Sequence, residues 1–387
     1  MQLLKVMSVR AGAQLTTPDN FITTHSGFTS HDILRLRNVM LYSLTADSAY
    51  FVRIDEKEDI LNPRKHPFVF LSLPMLAQDL LRMPIFDFIQ FTRSIDVNHI
   101  NVVWMFHTNR CGSTAYAQVF NALPDWTTIS EVQPLFAMFE THTNILEYMK
   151  SSEFESLTEA MVKFNLKSVP AMKQNVFFKA SILEDHWVGC IRKKFPKHQF
   201  LFAYRNVKPA GKSFYNGIAP FYFDAILALS INPFSQYYPA SRQRIMCSGG
   251  YLIPFVTQLL QQVRPHSYVE WYTLQWSVKM HLFCREFGND ILTLRYEELR
   301  ANQMETLGKM FDYLGISGEN IQLAVEALKP DSQEGTPVSQ KARAANPQWI
   351  RKEDEVVRCN SILKAFNLPD FDSDFDYDDW VSIGTFK

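Results

Sequence analysis

From His99 onward, short apolar runs of strand length alternate with stretches of helical period. That alternation restricts the chain to an α/β architecture in which helices cover a mostly parallel sheet. Strands are expected at 100–106, 127–130, 175–179, 199–204 and 290–294, with helices at 113–122, across 132–165, at 181–194 and from about 208. In such a sheet, ligands bind beyond the carboxyl ends of the strands. Arg110, Glu131, Lys179, Arg205 and Arg295 fall at or just past those ends, so their shared edge is the candidate site.

The first strand end is the most informative. Val102-Val103-Trp104-Met105-Phe106-His107 runs through Thr108-Asn109 into Arg110-Cys111-Gly112-Ser113-Thr114, where a helix should open. The first N–H groups of that helix lack partners within it, and together with the helix dipole they favour an anion. Gly112 allows close backbone approach, the two hydroxyls donate further bonds, and Arg110 supplies a fixed charge. Taken alone, the segment also reads as an ordinary strand-turn-helix corner. A second segment points the same way: the apolar run 199–204 ends at Arg205, with Ser213 eight residues later on the following helix. Given a short turn, that pair can converge on one more phosphate.

Taken in order, these segments resemble the P-loop-like sulfotransferase family, whose members use 3′-phosphoadenosine 5′-phosphosulfate (PAPS) as donor. In that family a strand-turn-helix loop of Lys or Arg, Ser, Gly and two hydroxyl residues grips the 5′-phosphosulfate. A later strand ending in Arg, with Ser eight residues on, grips the 3′-phosphate. The resemblance assigns Arg110, Cys111, Gly112, Ser113 and Thr114 to the first group and Arg205 and Ser213 to the second. Cys111 stands where Ser is common and would act through its N–H; Val207 replaces the usual Pro, and Pro209 follows two residues later. A third segment, Asp290-Ile291-Leu292-Thr293-Leu294-Arg295-Tyr296-Glu297-Glu298-Leu299, resembles the family's late strand and its Arg-Tyr-Glu-Asp-Leu sequel. An amphipathic helix follows through Leu307, Met310, Phe311 and Leu314, closed at Gly315.

The resemblance spans roughly residues 100–366. It implies a P-loop-like three-layer α/β/α fold with a central parallel sheet, and transfer of a sulfuryl group from PAPS to a hydroxyl or amine. The Arg-Lys-Gly sequence of the cytosolic small-molecule branch is missing; Ser339, Lys341, Arg343, Trp349 and the helix bearing Cys359 look closer to the carbohydrate branch. On that pattern Arg343 joins the donor contacts, and Arg343 and Trp349 close over the nucleotide. Arg110 would also meet the charge developing on the leaving phosphate. Glu131 stands where several branches carry a general base, although its Pro arrives only at position 134, and His107 is the rival base. Lys179 is a candidate for contact with donor or acceptor, and Trp187, Phe214 and Tyr215 are candidates for the adenine slot. The donor chemistry requires no metal. The acceptor is a small molecule, lipid or carbohydrate.

Composition narrows the alternatives. With 387 residues, 47% hydrophobic and 20% charged, the chain is long enough to bury a large core, and a net charge of −1 argues against a strongly basic nucleic-acid binder. Five scattered cysteines suggest neither a disulfide framework nor a zinc site. The opening residues have too short an apolar run for a secretory signal, the run 67–77 is too short to span a membrane, and no Asn-x-Ser/Thr acceptor occurs. These features lead us to expect a cytoplasmic protein without a transmembrane segment.

Residues 1–98 form an N-terminal extension or cap of unknown role, with helical or mixed periodicity at 33–44 and 75–91; residues 99–387 form the sulfotransferase-like domain. Its tail, 370–380, alternates acids with aromatics and reads as solvated and pinned by Phe371 and Trp380, because the Gly and Glu of a calcium loop are missing. The stretch 232–265 reads as an irregular lid. Two other classes stay open. A P-loop nucleotide kinase would need a Gly-x-x-x-x-Gly-Lys-Ser/Thr loop, which the chain lacks; a non-catalytic nucleotide-binding protein would keep the clamps without the chemistry. Oligomeric state is not legible in the sequence.

Overall fold

The computed structural model describes every residue except 11–15, 136, 139–144, 182–186, 218–264, 337 and 383–387. The chain divides into two compact units. The first comprises Met1–Trp104 and Leu123–His198, and the second Met105–Ala122 and Gln199–Lys387.

In the first unit, strands β1 (Gln2–Val9), β2 (Phe21–Phe28), β3 (Val39–Leu44), β4 (Ser48–Arg53) and β5 (Asp79–Pro84) form an antiparallel sheet in the order β2-β1-β5-β4-β3. The helical or mixed periodicity read at 33–44 and 75–91 resolves into both kinds of element: a 3-10 turn at His31–Arg35 leads into β3, and β5 leads directly into helix at Ile85–Thr92. All six residues of β3 are buried, so its apolar run carries no alternation of period two. Helices α1 (Val69–Leu76) and α2 (Ile85–Thr92) flank β5 in sequence. Phe88 of α2 packs edge-on against Phe51 of β4 at 5.4 Å. The run 67–77 thus contributes a short helix, and no helix among the described residues is long and apolar enough to cross a membrane.

All five strands expected beyond residue 99 are present: β6 (Asn101–His107), β7 (Trp126–Ser130), β8 (Asn175–Lys179), β9 (Gln199–Tyr204) and β10 (Leu292–Arg295). Among the described residues they form one central sheet in the order β10-β9-β6-β8-β7, with β7/β8 and β9/β10 paired in parallel. The helix expected at 113–122 is α3 (Ser113–Ala122); α4 (Ser152–Leu166) overruns the expected stretch 132–165 by one residue, and α5 (Val188–Lys194) falls within 181–194. The fold is therefore α/β around a parallel sheet. The stretch read as a lid lies, apart from Pro265, outside the described residues.

The second unit is organised on α6 (Tyr268–Phe287), capped by the Ser267 hydroxyl at its N-terminus and ended by Gly288 at φ 53°. Helix α7 (Tyr296–Ala301) follows β10 directly, and α8 (Gln303–Leu314) buries Leu307, Met310 and Phe311 before Gly315 stops it in the left-handed conformation, at φ 68°. The bond from Ile316 N–H to the Phe311 carbonyl, at 2.8 Å, closes that cap. The short helix α9 (Gln340–Ala345) carries Arg343, and α10 (Glu353–Ala365) packs on α6, where Arg358 pairs with buried Glu270 at 2.8 Å.

The tail is pinned as expected, with Phe371 and Trp380 buried, but its acids are not simply solvated. Asp372 pairs with Lys208 at 2.6 Å and Arg351 at 2.7 Å, and Asp374 pairs with Arg295 and accepts from Asn206 at 2.6 Å. Helix α11 (Tyr377–Ser382) buries Tyr377, whose N–H donates to the Tyr204 hydroxyl at 3.2 Å.

Candidate donor-binding site

Within the second unit, β6 ends at His107 and α3 begins at Ser113, and the turn between them has an unusual backbone. Asn109 and Arg110 sit at φ 62° and 54°, in the left-handed region that costs non-glycine residues about 1–3 kcal/mol each. Gly112 follows at φ 84°. A β-carbon there would lie 2.8 Å from Cδ2 of Tyr296, so this position admits glycine alone on grounds of both space and conformation. The Gly112 carbonyl accepts from Ala115 at 2.8 Å and Tyr116 at 3.2 Å, which starts α3 and leaves the N–H groups of Gly112, Ser113 and Thr114 in its first turn.

The two predicted clamps meet here. Arg110 Nε donates to the Ser213 hydroxyl at 3.2 Å, and Arg205 Nη1 donates to the Arg110 carbonyl at 3.4 Å. Arg205 leaves its buried Nε without a hydrogen bond, and Thr108 Oγ1 is likewise buried and unbonded. The unbonded Thr108 hydroxyl, beside the loop, is free to donate to an anion. Burial, followed by repulsion from Arg343 and Arg205, pushes Arg110 down to about 10. Burial also lowers Arg343, with a smaller contribution from Arg205. Arg343 lies against Gly217, at the end of the helical stretch 207–217, and is steadied by bonds to Gln333 Oε1 at 3.3 Å and the Val338 carbonyl at 3.1 Å. Arg110 and Arg343 therefore occupy surroundings that disfavour positive charge, and an anion bound between them would relieve it.

The third motif ties the other two together. Tyr296 lies beneath the Arg205 guanidinium, 4.5 Å from carbon to ring centroid, while its edge closes on Gly112. Glu297 accepts from the Asn206 N–H at 3.3 Å and lies 3.8 Å from Arg205 Nε and 3.7 Å from Arg295 Nε. The sequence marked the Arg-Tyr-Glu pattern but held no sign of what it touches.

His107 is buried, and its Nδ1 accepts from the Asn109 N–H at 3.2 Å. A neutral ring in that bond carries its proton on Nε2, so it cannot accept another without breaking the turn. Of the adenine candidates, Phe214 is buried against Tyr272 and Trp271 at 5.1 and 6.1 Å, Tyr215 meets Tyr268 edge-on at 5.5 Å, and Trp187 is buried in the first unit. Trp349 spends its indole N–H on Glu355 at 2.8 Å and its backbone N–H on Asn216 at 3.0 Å.

In the first unit, Glu131 is another left-handed residue, at φ 52°. Its N–H donates to the Lys179 carbonyl at 2.9 Å and its carbonyl accepts from Phe70 at 3.3 Å, so the strained backbone is held from both sides. Its carboxylate pairs with Lys179 at 2.5 Å, and the Lys179 side chain is wholly buried over the Phe68 ring at 4.9 Å. Next to it, Ser130 donates to the Pro67 carbonyl at 2.7 Å. Segment 67–70 of the N-terminal region thus buttresses the end of β7. Phe136 and Phe139, neighbours of Glu131 in sequence, lie outside the described residues or side chains.

A strand-loop-helix that gathers arginines, first-turn N–H groups and hydroxyls at a strand end is chemically suited to an anion. The sulfotransferase domain family matches residues 101–370, more than half of the chain, and the chain belongs to the sulfotransferase family. No curated protein matches it by sequence. Among solved structures it is similar to mouse sulfotransferase SULT7A1 complexed with PAP, at 15% identity, TM-score 0.30 and coverage of 62% of this chain and 69% of that one. It is also similar to sulfotransferase STF1 from Mycobacterium tuberculosis, at 9% identity and TM-score 0.40 over 72% and 79% of the two chains. STF9 from Mycobacterium avium gives 9% identity and TM-score 0.39 over 81% and 88%.

Proposed function

We propose that this chain transfers a sulfuryl group from PAPS to a hydroxyl or amine of a small-molecule, lipid or carbohydrate acceptor. The observation that carries this reading is the junction of the two clamps, in which Arg110 reaches Ser213 while Arg205 holds the Arg110 carbonyl. One ligand with two anionic ends satisfies both. The N–H groups and hydroxyls of Gly112, Ser113 and Thr114, with Cys111 contributing its N–H, cradle the 5′-phosphosulfate, and Arg205, Ser213 and Arg343 hold the 3′-phosphate.

In the transfer step the acceptor oxygen or nitrogen bonds to sulfur, the bond from sulfur to the bridging phosphate oxygen breaks, and adenosine 3′,5′-bisphosphate (PAP) departs. Arg110 stabilises the charge gathering on that bridging oxygen, where losing one donor costs about 3 kcal/mol of barrier. Glu131 takes the acceptor proton, with Lys179 orienting its carboxylate. His107 serves the turn. Residues 1–98 serve as an extension that braces the β7 end, and the remainder forms the transfer domain.

Calorimetric titration with PAP, without magnesium, is the first test, and saturable binding is the expected outcome. Transfer of radiolabelled sulfate from PAPS to components of a cell extract, resolved by mass spectrometry, is the second. Tight magnesium-dependent ATP binding in place of PAP binding would overturn the reading in favour of a kinase. Binding without transfer to any member of a broad acceptor panel would leave a nucleotide-binding protein.

A further inference from the structure

One stripe of α6 carries side-chain donors whose bonds end on main-chain carbonyls of the two anion loops. Tyr272 places its hydroxyl 2.9 Å from the Thr108 carbonyl and 3.0 Å from that of Asn109, sharing one proton between them. Trp276, one turn on, donates its indole N–H to the Arg205 carbonyl at 2.9 Å. Lys279 reaches the His107 carbonyl, also at 2.9 Å. The spacing of i, i+4 and i+7 sets all three on one helical face, and all three are buried, at 0%, 1% and 4% exposure. Burying these polar ends is unfavourable unless they are bonded, and each is spent on a loop carbonyl.

A trans peptide sets its C=O and the next N–H on opposite sides. With the Asn109 carbonyl held by Tyr272, the Arg110 N–H is turned away from α6. With the Arg110 carbonyl held by Arg205, the Cys111 N–H is turned away from Arg205. Asn109 and Arg110 adopt a conformation that L-residues avoid, and it persists only where surrounding bonds over-determine it. The bonds at Thr108, Asn109 and Arg205 are of that kind.

We propose that α6 is the positioning element of the donor site: Tyr272 and Lys279 set the loop that receives the 5′-phosphosulfate, and Trp276 sets the strand end that receives the 3′-phosphate. The inference rests on the PAPS reading and extends it to residues that touch no ligand.

The test titrates the full-length chain with PAP, adenosine 5′-monophosphate and adenosine 3′-monophosphate, using two variants that keep an aromatic ring. Tyr272→Phe should weaken the 5′-monophosphate about tenfold, the equivalent of one lost hydrogen bond, and leave the 3′-monophosphate within a factor of about two. Trp276→Phe should do the reverse, and both should weaken PAP. A merely structural role would weaken both monophosphates in the same proportion, in step with a lower unfolding midpoint, and that result overturns the proposal. Wild-type affinities in both variants overturn it too. Failure of the wild-type chain to bind PAP strikes the donor reading itself, so the two failures are told apart.

Discussion

Gly112 is the residue at which one methyl group decides most. Replacing it with alanine brings a carbon to 2.8 Å from Tyr296 and forces an L-residue to φ 84°. The expected outcome for Gly112→Ala is loss of PAP binding by more than about tenfold in calorimetry, since the Tyr296 ring beneath Arg205 must shift. Arg110 and Glu131 separate binding from chemistry. Arg110→Ala should lower turnover by about a hundredfold in the radiolabelled transfer assay, and by more than it weakens PAP. Glu131→Gln should bind PAP as the wild type does while slowing transfer by about a hundredfold, the usual contribution of a positioned base; a variant at full rate removes Glu131 from the mechanism. Among the described residues, the left-handed non-glycine positions are Asn109, Arg110, Glu131 and Asn367, so three of the four fall on or beside proposed site residues. Backbone strain of this kind gathers at functional sites.

The elements were legible where burial leaves a simple pattern. Strands β8 and β9 sit at their expected bounds because each is built on a short apolar run, 176–178 and 200–204, with polar residues at its edges. The N-terminal sheet was not legible, since β3 is buried throughout and shows neither period. The turn after β6 and the arginine that follows β9 could be set on one sheet edge because each comes directly after an apolar strand. The donors on α6 could not. Tyr272 and Trp276 look like core aromatics in a helix, Lys279 looks like a solvated lysine, and only the fold shows carbonyls facing them. The pairing of Glu131 with Lys179 was hidden for a related reason: sequence set both at strand ends but could not order β7 beside β8. In the turn between α5 and β9, His198 makes a pH prediction. Its Nδ1 accepts from the Trp104 indole at 3.0 Å, and burial pushes the ring down from 6.5 to about 4. The folded state therefore binds fewer protons than the unfolded one between these values. Stability is full above pH 6.5 and declines as pH falls toward 4, by about 2–3 kcal/mol from this residue after allowance for partial exposure. Chemical denaturation at pH 7 and pH 5 should show this loss, and His198→Phe should reduce it.

At the scale of the whole molecule, the aromatic tail completes the second unit's core. Phe375 meets Tyr204 edge-on at 5.7 Å and Trp276 at 5.1 Å, and Tyr377 meets Phe202 at 5.6 Å. Phe375→Ala should cost about 3 kcal/mol, seen as a lower guanidinium midpoint. Tyr377 N–H and the Tyr204 hydroxyl that receives it are 173 positions apart. A ribosome must therefore deliver the tail before the last side of β9 is covered, and until then nascent chains leave Tyr204 without Phe375 and Phe202 without Tyr377. Holding chaperones would find a target in that interval, and expression yield should respond to their supply.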